Sequence, residues 1–106
     1  MSQTLFIDDQ QSWDRVAEAL AWEPLLALDT ESNSLHAYRE KFLLIQISAG
    51  EDIFLLDPLA VADLSALGNL LANPSITIVA HGSDYDVRCL HRDYGFTIRS
   101  LFDTEL

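Results

Sequence analysis

The sequence predicts an α/β fold: one domain built on a mixed β-sheet, with helices packed on its faces. Three observations carry that prediction. Short apolar runs bounded by turn residues alternate with stretches of helical periodicity. Two of those runs are separated only by a tight turn and so pair as an antiparallel hairpin. The others are joined through helices, the connection that parallel neighbours require. With 106 residues, 49% of them apolar, the chain holds one domain with a real core.

The elements follow in order. Leu5 to Ile7 is a first short strand, closed by Asp8-Asp9, either of which suits the N-cap of the next helix. Trp13, Val16, Ala17 and Leu20 recur at i, i+3, i+4 and i+7, one face of that helix, and Pro24 marks its end. Leu25 to Leu28 is a continuous apolar run, short enough for a strand covered on both faces. Ser32 to Glu40 is polar and irregular. Phe42 to Ser48 and Ile53 to Leu56 are strands of a hairpin turned at Ala49-Gly50-Glu51-Asp52. After Asp57-Pro58, the residues Leu64, Leu67 and Leu71 share a helical face that ends at Asn73-Pro74. Ile76 to Ala80 is another buried strand, and His81-Gly82-Ser83 is a tight strand-to-helix turn. Val87, Leu90, His91 and Tyr94 mark the last amphipathic helix, with Gly95 where a C′ glycine belongs. Phe96 to Ile98 reads as a short strand.

Seventeen acidic residues against 6 basic ones give a net charge of −11. That balance argues against a generic nucleic-acid-binding surface, which is basic. It is compatible with an enzyme that holds phosphates through metal ions, where acidic residues are partly the ligands. A solvated acidic surface explains the excess equally well. The single cysteine, Cys89, forms no intrachain disulfide and reads as a buried thiol, which fits a reducing, cytoplasmic setting. The N-terminus has no basic n-region and no long apolar stretch, so neither a signal peptide nor a membrane span is expected.

The chemistry begins at Leu26-Ala27-Leu28-Asp29-Thr30-Glu31. Residues i and i+2 of a strand share a face, so Asp29 and Glu31 project together and Thr30 turns the other way. Two like charges at a strand end cost free energy unless a cation sits between them, and hard oxygen ligands suit Mg²⁺ or Mn²⁺. An acidic cap or surface turn would give the same pattern. The second cluster is His81-Gly82-Ser83-Asp84-Tyr85-Asp86. Asp86 in the first helical turn is well placed for a third carboxylate, but Ser83-x-x-Asp86 also matches a capping-box variant, and acidic residues favour helix N-termini. His81 suits a ligand, a base or a phosphate contact, or else a hydrogen bond to its own turn. His36 and Tyr38, in the loop after Glu31, are candidates for reaching a substrate, with a solvated loop as the alternative. Gln46 is out of place in the apolar run Leu44-Ile45-Gln46-Ile47 and suits satisfaction of a buried polar group.

Asp29-Thr30-Glu31 resembles the first motif of the DEDD superfamily of 3′-5′ exonucleases. The stretch from Glu31 to Ser48, Asp57-Pro58-Leu59 and Asn73-Pro74-Ser75-Ile76 are similar to its ribonuclease D branch. His81 to Val87, Arg92-Asp93-Tyr94-Gly95 and Leu101-Phe102-Asp103-Thr104 resemble the second motif and its continuation. The likeness spans nearly the whole chain, and it is the order and spacing of the pieces that is specific. It implies a ribonuclease H-like fold, with Asp29, Glu31 and Asp86 as catalytic metal ligands. The register favours Asp86 over Asp84, because the family aspartate falls five positions after the histidine. Thr30, His36, Tyr38 and His81 are the corresponding candidates for substrate contact.

The resemblance further implies two divalent ions, Mg²⁺ or Mn²⁺, ~3.5–4 Å apart across the scissile phosphate. Asp29 would bridge both, Glu31 would hold one and approach the terminal 3′ hydroxyl, and Asp86 would hold the other. The substrate would be the 3′ end of single-stranded RNA, with DNA left open, and the product a nucleoside 5′-monophosphate. The family completes its site with a third motif, Tyr-x-x-x-Asp, which would lie past Leu106. On that reading residues 1–106 are a C-terminally truncated exonuclease domain with two of its three motifs, expected to be almost inactive alone. A non-catalytic module that self-associates into a homo-oligomer through uncovered core surface is the competing expectation. An acidic metal-binding protein without nuclease ancestry is a third.

Overall fold

A computed structural model of the protein describes residues 2–32 and 42–105. Strands β1 (Thr4–Ile7), β2 (Leu25–Ser32), β3 (Phe42–Ala49), β4 (Asp52–Leu56), β5 (Thr77–Ala80) and β6 (Leu101–Asp103) form one sheet in the order β1-β4-β3-β2-β5-β6. Helices α1 (Gln10–Leu20), α2 (Ser65–Ala72) and α3 (Asp84–Tyr94) connect them. The β2–β3 and β3–β4 pairs are antiparallel, whereas β1–β4, β2–β5 and β5–β6 are parallel. This is the mixed sheet that the hairpin and the helical crossovers require.

Alternation along the strands divides the sheet into two faces. Leu26 and Leu28 of β2, Ile45 and Ile47 of β3, Phe54 and Leu56 of β4 and Ile78 of β5 are buried on one. The register stacks them in rows: Leu26 on Ile78, Leu28 on Ile47, Ile47 on Phe54, and Ile45 on Leu56. Against them pack Trp13, Ala17 and Leu20 of α1, Leu67, Leu70 and Leu71 of α2, and Cys89 and Leu90 of α3, in one continuous cluster. Trp13 is wholly enclosed. On the other face Ala27, Gln46 and Leu55 are half-buried, with Gln46 paired to Leu55.

Capping follows the local chemistry. The Asp9 carboxylate accepts the amide of Ser12 at 3.0 Å and starts α1, so of the two candidate aspartates it is the second that caps. Gly95 closes α3 with φ +72°. Among the described residues no helix is long and apolar enough to cross a membrane.

Two expectations change. Strand β2 does not stop at Leu28 but runs to Ser32, because β3 continues to pair with it through Glu31 opposite Leu44 and Ser32 opposite Phe42, with a register shift between the last two. Phe96 to Ile98 is not a strand. Phe96 instead stacks on Tyr94, and the sixth strand forms at Leu101–Asp103 along β5.

Candidate active site

The site is built where β2 outruns its parallel neighbour. The β5 ladder ends at Ala27, opposite Val79, while β2 continues through Asp29, Thr30 and Glu31 held only by β3. There the Asp29 carboxylate turns to its own backbone and accepts the Thr30 amide at 3.0 Å. Asp29 and Glu31 are exposed, on the face opposite Leu26 and Leu28. Gln46 stands directly across from Asp29 on β3, so it borders the acidic pair and is not isolated in the core.

Thr30 is on the buried face. Asp86 reaches it from the first turn of α3, four residues before the fully buried Leu90 and therefore on the same side of the helix. Burial pushes the Asp86 carboxyl above its ordinary value of 3.8, the Thr30 hydroxyl offsets part of that rise, and the charge of Asp29 adds to it. The Thr30 Oγ1 is nevertheless buried without a hydrogen bond of regular geometry. Thr30 and Asp86 are thus close without a hydrogen bond of regular geometry, and such contacts weaken steeply once length or angle departs from the favoured range.

From strand alternation Thr30 is expected to turn away from the acidic pair. The structure shows the consequence: turning away brings Thr30 to Asp86. The strand tip thus gathers Asp29, Thr30 and Asp86, with Glu31 one step further along the Asp29 face. Among the described residues no three His, Cys, Asp or Glu side chains close around a common point. In donor chemistry the group fits a hard divalent cation: carboxylate oxygens, one of them on a half-buried side chain whose charge is disfavoured by burial and by a like neighbour. A cation bound there would relieve that penalty.

The turn before α3 is held from another direction. Gly82, at φ +61°, and Ser83 donate their amides to Asp103 at 3.0 and 2.9 Å, and the Ser83 hydroxyl donates to the same carboxylate at 2.7 Å. The Glu105 amide adds a further bond at 2.9 Å. These bonds hold the Asp103 carboxyl far below the usual carboxylate range, the Glu105 amide first among them. His81 shares a 2.9 Å hydrogen bond between its Nδ1 and the Thr104 hydroxyl, and its Nε2 lies 3.6 Å from Glu105. It therefore bonds across to the exit of β6, neither to its own turn nor to the acidic tip. Ser83 makes no side-chain cap to α3, so the capping-box pattern is not realised. Cys89 is buried, as expected. His36 and Tyr38 lie outside the described residues. Asp103 is the residue that sequence reading missed; its signal is the Asp-Thr-Glu run after two apolar residues, which carries no local hint that its partners lie twenty positions upstream.

A family model described as 3′-5′ exonuclease matches residues 5–106. Protein RRP6-like 3 of Arabidopsis thaliana is 38% identical over 101 residues, which is 94% of this chain and 11% of that protein. The crystal structure of Escherichia coli RNase D, an exoribonuclease involved in structured RNA processing, matches with a TM-score of 0.89 at 32% identity, covering 96% of this chain and 27% of that one. The catalytic core of RRP6 from Trypanosoma brucei matches with a TM-score of 0.92 at 31% identity, covering 98% and 29%. The ribonuclease H-like architecture is common to these structures and this chain. The chain spans less than a third of the length of each of these relatives.

Proposed function

This chain belongs to the 3′-5′ exonuclease family, and from that premise we propose that residues 1–106 form the part of a metal-dependent exoribonuclease domain that carries its first two motifs. The substrate is the 3′ end of single-stranded RNA, with DNA as the alternative polymer. Asp29, Glu31 and Asp86 hold two divalent ions, Mg²⁺ or Mn²⁺. When bound, such ions supply a nucleophilic hydroxide and neutralise the charge developing on the leaving oxygen. The carboxylates orient and charge-balance that centre. Thr30 and His81, with His36 and Tyr38, are assigned to substrate contact.

The observation that supports this reading best is the approach of Asp86 to Thr30 and to the charge of Asp29, although Asp29 and Asp86 are 57 positions apart in the sequence. With three carboxylates and no water-positioning tyrosine of the third motif, residues 1–106 alone are expected to shorten RNA only weakly, since losing one group from a cooperative site removes orders of magnitude in rate. Calorimetric titration with Mn²⁺ tests the assignment. Asp29→Asn and Asp86→Asn should each weaken binding sharply; if only one does, the two do not share a cation.

A second reading rests on β6. Leu101 and Phe102 are 41% and 56% exposed on the last strand of the sheet order. An apolar edge of this kind supports a module that associates with another copy of itself. Light scattering separates that role from a monomeric domain.

A further inference from the structure

We infer that Asp103 is a positioning residue for Asp86: by gripping Gly82 and Ser83 from strand β6, it fixes the direction in which helix α3 presents that carboxylate to β2. Asp103 and Asp86 compete for the same groups of Ser83. A capping box at Ser83-x-x-Asp86 would need the Ser83 hydroxyl as acceptor for the Asp86 amide, and the Ser83 amide as donor to the Asp86 carboxylate. The Ser83 amide is taken by Asp103 at 2.9 Å, and the Ser83 hydroxyl is drawn to the same Oδ2 at 2.7 Å, so the reciprocal box cannot close. Ser83 accordingly has φ −84° and ψ −3°, not the extended backbone of a side-chain cap. Asp86 finds no free Ser83 amide to fold back on and stands near Thr30 instead.

The grip is itself anchored. Asp103 stands opposite Ala80 in the β5–β6 register, and the Thr104 amide donates to the Ala80 carbonyl at 2.9 Å. The strand paired with the one that leads into the turn therefore carries the carboxylate that shapes it. Oδ1 accepts from Gly82 and Glu105, so each oxygen takes two donors and the side chain has no freedom left. An anion at this end of α3 also complements the helix dipole.

The metal part of the test rests on the reading of Asp29, Glu31 and Asp86 as ligands; the geometric part does not. In the isotopically labelled 106-residue chain, the nuclear Overhauser contact between the Thr30 methyl and the Asp86 β protons reports position without metal. Mn²⁺ calorimetry reports affinity. Asp103→Asn and Asp103→Ala should remove the contact while cross-strand contacts of β3 and β4 persist, and should weaken Mn²⁺ binding by about ten- to a hundredfold, as loss of groups that orient ligands does. Ser83→Ala, which removes one of the bonds, should give a smaller loss of both. A purely structural Asp103 would lower Tm and leave contact and affinity unchanged, and that result overturns the inference. Should both Asp103 variants fail to fold, Ser83→Ala decides: an undiminished contact overturns it. If the contact is lost on substitution but the parent chain binds no Mn²⁺, positioning stands and the metal reading fails. If Asp86→Asn abolishes binding while Asp103→Asn changes neither signal, the metal reading stands and positioning fails.

Discussion

Phe96 lies over Gly68 so closely that a β-carbon at position 68 would stand 2.6 Å from its ring Cε1. The ring also stacks on Tyr94 with centroids 5.3 Å apart and planes 20° from parallel, which resists its moving aside. Alanine at position 68 would gain about 1 kcal/mol of helix propensity in α2. Overpacking against a fixed ring costs about 1–3 kcal/mol. The second effect is larger, so Gly68→Ala should destabilise the fold by about 1 kcal/mol net. Urea unfolding measures it, and Phe96→Leu in the same chain should recover most of the loss. A more stable Gly68→Ala would show that the ring yields.

The same contact explains why Phe96 to Ile98 misleads as sequence. An apolar pair around a threonine alternates like a strand, but its first member is committed to Gly68 and Tyr94, a helix-packing role that no local pattern encodes. The real sixth strand, Leu101–Asp103, pairs on one side only with β5, and Leu101 and Phe102 are both exposed, so it shows no alternation. By contrast, α1 was legible because Trp13, Ala17 and Leu20 pay for one buried face that period 3.6 makes visible. The acidic tip of β2 was legible for the same reason, through period 2. What the chain could not reveal locally is Ser83: its capping-box signature is real, and only a carboxylate twenty residues on, brought in by the sheet, overrides it.

Asp86 and Asp103 should tilt stability with pH in opposite directions. Asp86 has a raised carboxyl pKa in the fold, chiefly from burial, so the folded state holds its proton more tightly than the unfolded one. Stability from this group therefore falls as pH rises from the ordinary value of 3.8 through the raised one. Asp103 is depressed by its hydrogen bonds, so its contribution is complete above 3.8 and is lost as pH falls through the lowered value. Denaturant unfolding between pH 2.5 and about 7 separates them. Asp86→Asn should gain on the parent as pH rises above 3.8, and Asp103→Asn should show its deficit above 3.8 and close it in acid. Parallel curves for either variant would contradict the corresponding shift.

Thr30 offers a direct reading of its own geometry. Its Oγ1 is buried and has no regular hydrogen-bond partner. An unpaired buried hydroxyl costs about 1–3 kcal/mol, whereas an apolar group of the same shape costs nothing comparable. Thr30→Val should therefore leave stability unchanged or raise it by up to about 1 kcal/mol. It should also push the Asp86 carboxyl further up, because the hydroxyl favours the charged form. A loss of stability on this substitution would mean that Thr30 and Asp86 form a true hydrogen bond.

The outer side of β6 is where association is to be sought. β6 ends the strand order next to β5, and Leu101 and Phe102 are among the exposed large apolar side chains. A strand end of a sheet offers unpaired amides and carbonyls, and natural edges are guarded by charge, proline or brevity. β6 has three residues and no lysine or proline, so brevity is its main guard. Two copies meeting edge to edge would pair only a few residues, and the apolar pair would have to supply most of the attraction. Self-association should therefore be weak, reversible and sensitive to a single charge. Scattering mass should rise with concentration for the parent chain and stay monomeric for Phe102→Lys, with Tm unchanged because that side chain is exposed. A parent chain that stays monomeric at the highest concentration would remove the association reading and leave the nuclease reading alone.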